Sequence, residues 1–283
     1  MTGNYFKWKN LKNKDIPYVE NLLRDMEDTC VGACSRFLFR VPTRDHVWVL
    51  RGKNGELPAV IINSRNTLMP VFGGLKEIPS LRFLKGFFRL KNIHSTQGLT
   101  EEVLIMESEL EKLGKVIVDI FDYDLMRLDV LPWDNKKYPT LENLTLRKAS
   151  LIDLDNLAPL QAGYEKEEVL PKGSVFSPAA SRINLSNLIA KSHVMLAEYN
   201  GRVVGKINIS GVSFTRYQVG GVYVHPDFRG KGIARRMAKE FITSLINEGR
   251  GVSLFVKKNN MPARRLYTGL GLRIIGNYRI TYY

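Results

Sequence analysis

One stretch limits the choice of fold more than any other: Gly220-Gly-Val-Tyr-Val-His-Pro-Asp-Phe-Arg-Gly-Lys-Gly-Ile-Ala-Arg-Arg236. An apolar run reads as a strand, and a loop containing glycine follows it. Then Ile233, Met237, Phe241, Ile242, Leu245 and Ile246 recur at helical spacing, with Gly249 as a stop. The loop has its own chemistry. A helix start carries N–H groups without partners and the positive end of the dipole, so it attracts anions. Gly230 and Gly232 let the backbone approach a phosphate where a Cβ would clash. A lone Gly-x-Gly says little, but between a strand and a helix it has the context that a pyrophosphate cradle needs.

The charge distribution agrees. Of the net +14, residues 146–283 supply most, with 21 Lys+Arg against 9 Asp+Glu, while the first 145 residues are nearly balanced. A basic field attracts anions such as CoA or nucleic acid, and charge alone does not separate them. The only two cysteines, Cys30 and Cys34, are spaced to share a helix face and read as small buried thiols. No set of ligands suggests a metal site. No apolar run reaches the ~18 residues of a membrane span, and Met1 to Asp15 is polar, without a signal-peptide core. A cytoplasmic protein is expected.

The length of 283 residues suits two domains. Leu128 to Asn143, rich in turn formers with two prolines, reads as a linker, which divides the chain into 1–128, a linker at 129–143, and 144–283. The halves are alike. Phe6–Asp15 and Leu146–Asp155 each read as a short strand, a turn and an acidic helix start. His46–Val49 with Ala59–Asn63, and His193–Leu196 with Val203–Ile209, read as hairpins, the second around Asn200-Gly201. A duplicated α/β unit is inferred. In the second half the expected elements are strand 145–149, helices 153–165 and 179–191, and strands 193–199, 202–213 and 216–224. Helix 230–248, strand 251–256, helix 261–269 and a strand pair within 271–283 complete the series.

The glycine passage resembles motif A of the GNAT superfamily of acetyl-CoA-dependent N-acyltransferases, V-x-V-x-P-x-x-R/Q-x-x-G-x-G/A, at Val222, Val224, Pro226, Arg229, Gly232 and Ala234. Leu254 to Leu272 resembles motif B, at Asn260, Ala263, Leu266, Tyr267 and Gly271, with Leu272 where Phe is usual. The resemblance covers about 144–283 and implies a mixed α/β sheet, with two GNAT-like domains in tandem. It implies that Val222, Tyr223 and Val224 pair with the pantetheine arm. The N–H groups of Gly230, Lys231, Gly232, Ile233, Ala234 and Arg235, beside Arg229, would hold the pyrophosphate, and Asn260 would bond the arm. Tyr267 would protonate the departing thiolate, a task suited to a phenol that keeps its proton at pH 7. The base is not apparent: the strand Arg216–Val224 has no carboxylate. The cluster Tyr164-Glu-Lys-Glu-Glu168 is the best carboxylate candidate, with a solvated helix end as the alternative, and His225 reads as structural.

The first half carries no such motif where it should, at Ile93-His-Ser-Thr-Gln-Gly-Leu-Thr-Glu-Glu-Val103. Glu101 and Glu102 there suit a helix start without an anion, and no motif B follows Val116–Ile120. A degenerate first half beside an active second half resembles mycothiol synthase and the Fem-type aminoacyltransferases. Leu81–Lys91 interleaves apolar and basic residues; with Gly86 in its middle it reads as a buried strand or loop with snorkelling cations. The expected activity is acetyl transfer from acetyl-CoA, as co-substrate, to a primary amine on a small molecule or a peptide. The alternatives are a Fem-like transferase using aminoacyl-tRNA and a non-catalytic acyl-CoA-binding module. The intact cradle favours CoA over nucleic acid.

Overall fold

The computed structural model describes residues 6–90, 93–133, 141–191 and 193–283; part of the expected linker lies outside them. The first half runs β1 (Lys7–Asn10), α1 (Ile16–Asp25), α2 (Glu27–Leu38), β2 (His46–Arg51), β3 (Ala59–Ser64), β4 (Thr67–Val71), α3 (Lys85–Leu90), β5 (Ser95–Leu99), α4 (Thr100–Glu111) and β6 (Asp119–Leu128). The second repeats that order as β7 (Leu144–Lys148), α5 (Leu154–Tyr164), α6 (Pro178–Ala190), β8 (Val194–Tyr199), β9 (Arg202–Val212), β10 (Arg216–Val224), α7 (Ile233–Asn247), β11 (Gly251–Lys257), α8 (Met261–Thr268) and β12 (Arg273–Tyr282). Both halves open alike: a 3-10 turn follows the first strand, closed by a buried aspartate, Asp15 or Asp153, that pairs with Arg51 or Arg147.

The twelve strands among the described residues form one sheet in the order β1-β2-β3-β4-β5-β12-β6-β11-β10-β9-β8-β7. Neighbours are antiparallel except for two parallel pairs, β4–β5 and β10–β11. The halves exchange their last strands. β12 runs between β5 and β6, with Tyr278 opposite Leu99 on one side and Tyr123 on the other. β6 in turn lies against β11, Leu128 opposite Val252. The expected strand pair within 271–283 is therefore a single strand. Gly276 marks a shift of register rather than a turn, because both edges of this segment are taken by strands of the first half.

Two further expectations change. Leu81–Leu84 is a 3-10 turn that leads into α3, so Leu81 and Leu84 are buried on helical turns rather than on a strand or loop, with Arg82, Lys85 and Gly86 outward. The parallel pair β4–β5 is the counterpart of β10–β11. The first half's equivalent of the glycine loop is thus the chain after β4, Phe72 to Ser80. Ile93–Val103 instead holds β5 and the first turn of α4, matching β11 and α8; the Val116–Ile120 run leads into β6.

One face of the second half packs Ile233, Met237, Phe241 and Ile242 of α7 on Ile207, Val224 and Leu254. The other face packs Leu157, Leu160 and Leu185 of α5 and α6 on Leu196 and Tyr223. The first half reaches onto this sheet through α2. Glu27 accepts hydrogen bonds from Ser213 Oγ, Thr215 N–H and Thr215 Oγ1 at the β9–β10 turn. Burial alone would raise its pKa, but these bonds outweigh it and hold the carboxyl below its ordinary range. Beside it, Asp28 and Asp129 each pair with both Arg127 and Arg216. Cys30 and Cys34 are buried in α2, their sulfurs 3.5 Å apart.

A fragment of residues 144–283 on its own lacks both partners of β12 and one partner of β11. It is expected to be unfolded or aggregated by circular dichroism and size-exclusion chromatography, and to gain structure when residues 1–128 are supplied as a second fragment. A folded, monodisperse 144–283 fragment would contradict the exchanged sheet.

Candidate functional site

β10 and β11 pair only through Arg216–Gln218 opposite Gly251–Ser253, and beyond Gln218 they part. On its other edge β10 stays with β9, but the register shifts between Gly220 and Tyr223. Such a bulge bends its strand. Gly221 lies in the left-handed region, with φ +58°. A Cβ there would overlap Asn208 Oδ1 and come 2.7 Å from Lys206 Nζ, so the place of a side chain is taken by two polar groups of β9.

Lys206 is fully buried. Its ammonium donates to Asn208 Oδ1 at 2.9 Å and Gly221 O at 2.8 Å, and lies 4.9 Å from the Tyr164 ring centre. Among the described residues no carboxylate is within ion-pairing distance of it. Burial pushes its pKa down to about 7, with Glu165 the one charge opposing this. Tyr164, at the end of α5, lies beside the Gly221 backbone; burial raises its phenol to about 12.

After β10 comes a 3-10 turn, Pro226–Phe228, capped by His225, whose Nδ1 accepts from Asp227 N–H. Gly230 and Gly232 both have positive φ, +78° and +79°, and Gly232 is the N-cap of α7 with no side-chain cap and no acid in the first turn. The first intrahelical bond runs from Arg236 N–H to Gly232 O. The preceding N–H groups of Ile233, Ala234 and Arg235 are thus the free donors of a helix start. Arg229 donates to Val224 O and Glu167, Lys231 lies over Phe228, and Arg235 donates to Gly269 O. This fits a pyrophosphate: open backbone donors, two glycines without Cβ, flanking cations and no acid in the first turn of α7.

Across the gap, Asn260 caps α8, accepting from Ala263 N–H, and gives its own amide to Glu168. Tyr267 of α8 is buried in the α7 core, yet its phenol feels Tyr164 and Glu168 across the sheet. Burial first, then those two neighbours, raises its pKa, so it keeps its proton. Tyr223 donates to Glu167 at 2.5 Å, while Val222 and Val224 turn toward the α7 core.

The acidic cluster is not a solvated helix end. Glu165–Val169 forms a turn of π-helix, a form enriched at functional sites, and it bridges the two motifs. Glu167 binds Tyr223 and Arg229 of the first, and Glu168 binds Asn260 and Lys257 of the second. Burial would raise Glu167, but Tyr223 and Arg229 outweigh it and hold the carboxyl below its ordinary range, which weakens it as a base. Reading the sequence missed Lys206 and Asn208. Their signal was present: two polar residues two apart, on one face of an otherwise apolar strand, Val203 to Ile209.

The first half has closed the equivalent gap. Glu102 of α4 is buried and accepts from Phe72 N–H at the end of β4. Burial first, with Glu101, outweighs that bond and pushes its carboxyl up to about 7. The cavity beside it, lined by Cys30, Met69, Gln97 and Tyr278, holds only about 10 Å³.

Residues 163–272 match the Acetyltransferase (GNAT) family. A stretch of 146 residues, half of this chain and 85% of the relative, is 29% identical to N-alpha-acetyltransferase RimI of Mycobacterium tuberculosis. An uncharacterized N-acetyltransferase of Archaeoglobus fulgidus is 33% identical over 90 residues, 29% of this chain and 61% of that protein's length. Among solved structures, a tandem GNAT protein from the clavulanic acid biosynthesis pathway matches 99% of this chain and 98% of its own, with TM-score 0.63 and 14% identity. The fold is thus two GNAT-like units in tandem. Among the described residues no helix is long and apolar enough to cross a membrane.

Gly221→Ala tests the bulge. The added methyl meets Asn208 and Lys206 at a φ that L side chains avoid, so a loss of at least ~2 kcal/mol is expected in chemical denaturation. Stability within experimental error of the wild type would show that the β9 groups do not fill that place.

Proposed function

We propose that the chain is an N-acetyltransferase that moves the acetyl group of acetyl-CoA to a primary amine in one direct step, within a complex holding both substrates. The observation that carries this reading is the parting of β10 from β11, with the open start of α7 at its mouth and Tyr267 beside it. The α7 start and its glycines are suited to hold the pyrophosphate. The edge of β10 facing the gap, Val222 to Val224, can pair with the pantetheine arm as an added strand. Asn260 would exchange Glu168 for that arm while keeping α8 capped.

In the reaction the amine nitrogen forms a bond to the thioester carbon and the carbon–sulfur bond breaks. The thiolate takes a proton from Tyr267, which recovers one from solvent, and the nitrogen loses its extra proton to the medium or a base. The amine acceptor would enter on the α5 side, past the π-helical turn. The mycobacterial relative's name, an N-alpha-acetyltransferase, supports an amine acceptor. Along the chain, 1–128 would be the degenerate unit and 144–283 the active one, each completed by the other's last strand, with 129–143 between them. The Glu102 plug supports one acetyl-CoA site per chain.

Calorimetry of the full chain with acetyl-CoA is expected to give a stoichiometry of one. Gly232→Glu should abolish that binding while keeping the fold, because it places a carboxylate at the helix start where the anion would sit. Two equivalent sites, or undiminished binding by folded Gly232→Glu, would contradict the placement.

Tyr267→Phe keeps the ring and removes the proton. With thiolate departure limiting, kcat should fall by ~10²–10³-fold while the Kd for acetyl-CoA changes little, since general acids are commonly worth ~10²–10⁴-fold. Unchanged kcat with normal affinity would remove Tyr267 as the acid.

A further inference from the structure

The buried ammonium of Lys206 has no part in the steps above, although it costs the fold a desolvated charge without a carboxylate in contact. Its hydrogen bond to Gly221 O, 2.8 Å long, lies at the bulge where β10 leaves β11. No peptide bond among the described residues is cis, and in a trans peptide the C=O and N–H point in opposite directions. Gly221 O faces Lys206, so the N–H of the same peptide, that of Val222, faces away from it. A peptide whose carbonyl receives a charged donor becomes a stronger N–H donor, because linked hydrogen bonds polarise one another.

Resting on the acetyltransferase reading, we propose that Lys206 is a positioning residue for acyl transfer. It fixes and polarises the Gly221–Val222 peptide, so that Val222 N–H receives the thioester carbonyl oxygen as negative charge develops on it. Donors preorganised for that charge are among the larger contributions to acyl transfer. Asn208 shares the ammonium and caps the space above Gly221, so the peptide cannot turn. The charge form does the work, and the groups facing it are few: Tyr164 from α5, Glu165 from the π-helical turn, Asn208 on its own strand and the Gly221 peptide. Because burial has drawn the ammonium down to about 7, the polarisation is present below that pH and is lost as pH rises through it.

Two measurements on the full chain test this. In the first, acetyl-CoA is turned over with hydroxylamine as a probe nucleophile that is largely unprotonated above neutral pH. Wild-type kcat should fall on the alkaline side of neutrality. Lys206→Met should be slower by roughly tenfold, below the ~10²–10³ of losing such a donor outright, with that falling limb absent and the Kd for acetyl-CoA little changed. An unchanged pH profile in Lys206→Met would overturn the inference. So would loss of a rising limb instead, which would make Lys206 a proton acceptor. The second measurement needs neither a variant that folds nor acetyl-CoA: the Val222 amide of the wild type, followed by NMR, should titrate with a midpoint near pH 7. A Val222 amide indifferent to pH across that range would sink the inference. Failure of the wild type to bind acetyl-CoA would instead sink the acetyltransferase reading.

Discussion

The placement of β12 between β5 and β6 is the constraint on which the remaining architecture depends. A sheet edge in water presents a row of unpaired N–H and C=O groups. Here each half leaves such an edge where its own last strand would ordinarily close it, and the other half fills the place. The pairing of Tyr278 with both Leu99 and Tyr123 turns two similar units into one twelve-stranded sheet. Side-chain links then follow the same seam: α2 lies across β9 and β10, Glu27 holds their turn, and Asp28 and Asp129 hold Arg127 and Arg216. Those arginines sit at the end of β6 and the start of β10, so the seam also holds the short stretch over which β10 and β11 are together.

From that point the cleft arises by local means. The bulge at Gly221 turns β10 away while β11 continues straight against β6. Opposite outcomes in the two halves follow from what enters the gap. In the second half it is bordered by open helix donors, and the nearest carboxylates, Glu167 and Glu168, are already committed to Arg229 and Lys257. In the first half the chain's own Glu102 occupies it and bonds to the end of β4. One duplicated frame thus carries an open gap and a plugged one.

Much of this was legible in the residues. Local signals marked the α7 amphipathic run, the Asn200-Gly201 hairpin and the glycine start of α7, because each depends on neighbours a few positions away. The tandem of α/β units was also readable, since the opening turns of both halves repeat. The exchange of strands was not. Nothing in Arg273–Tyr282 distinguishes a strand that pairs with its own half from one that crosses, and the choice is made by edges more than 100 residues away. The location of the first half's lost loop failed for a related reason: with no motif to anchor it, only the parallel pairing of β4 with β5 reveals which segment matches which. In the site, the backbone donors were predictable from glycine positions. Lys206 was not read as functional, since a lysine on a strand ordinarily turns to water, and only the left-handed Gly221 makes room for it inside.

The exchanged strands also impose an order on synthesis. When β6 has left the ribosome, the first half still has an empty slot beside β5, and the segment that fills it is β12. The roughly 150 residues in between, at translation rates of ~5–20 residues per second, correspond to about 8–30 s during which β5, paired with β4 on one edge, has no permanent neighbour on the other. The nascent first half must therefore wait, with apolar strands exposed, and the risk in that interval is pairing with another copy at the same stage.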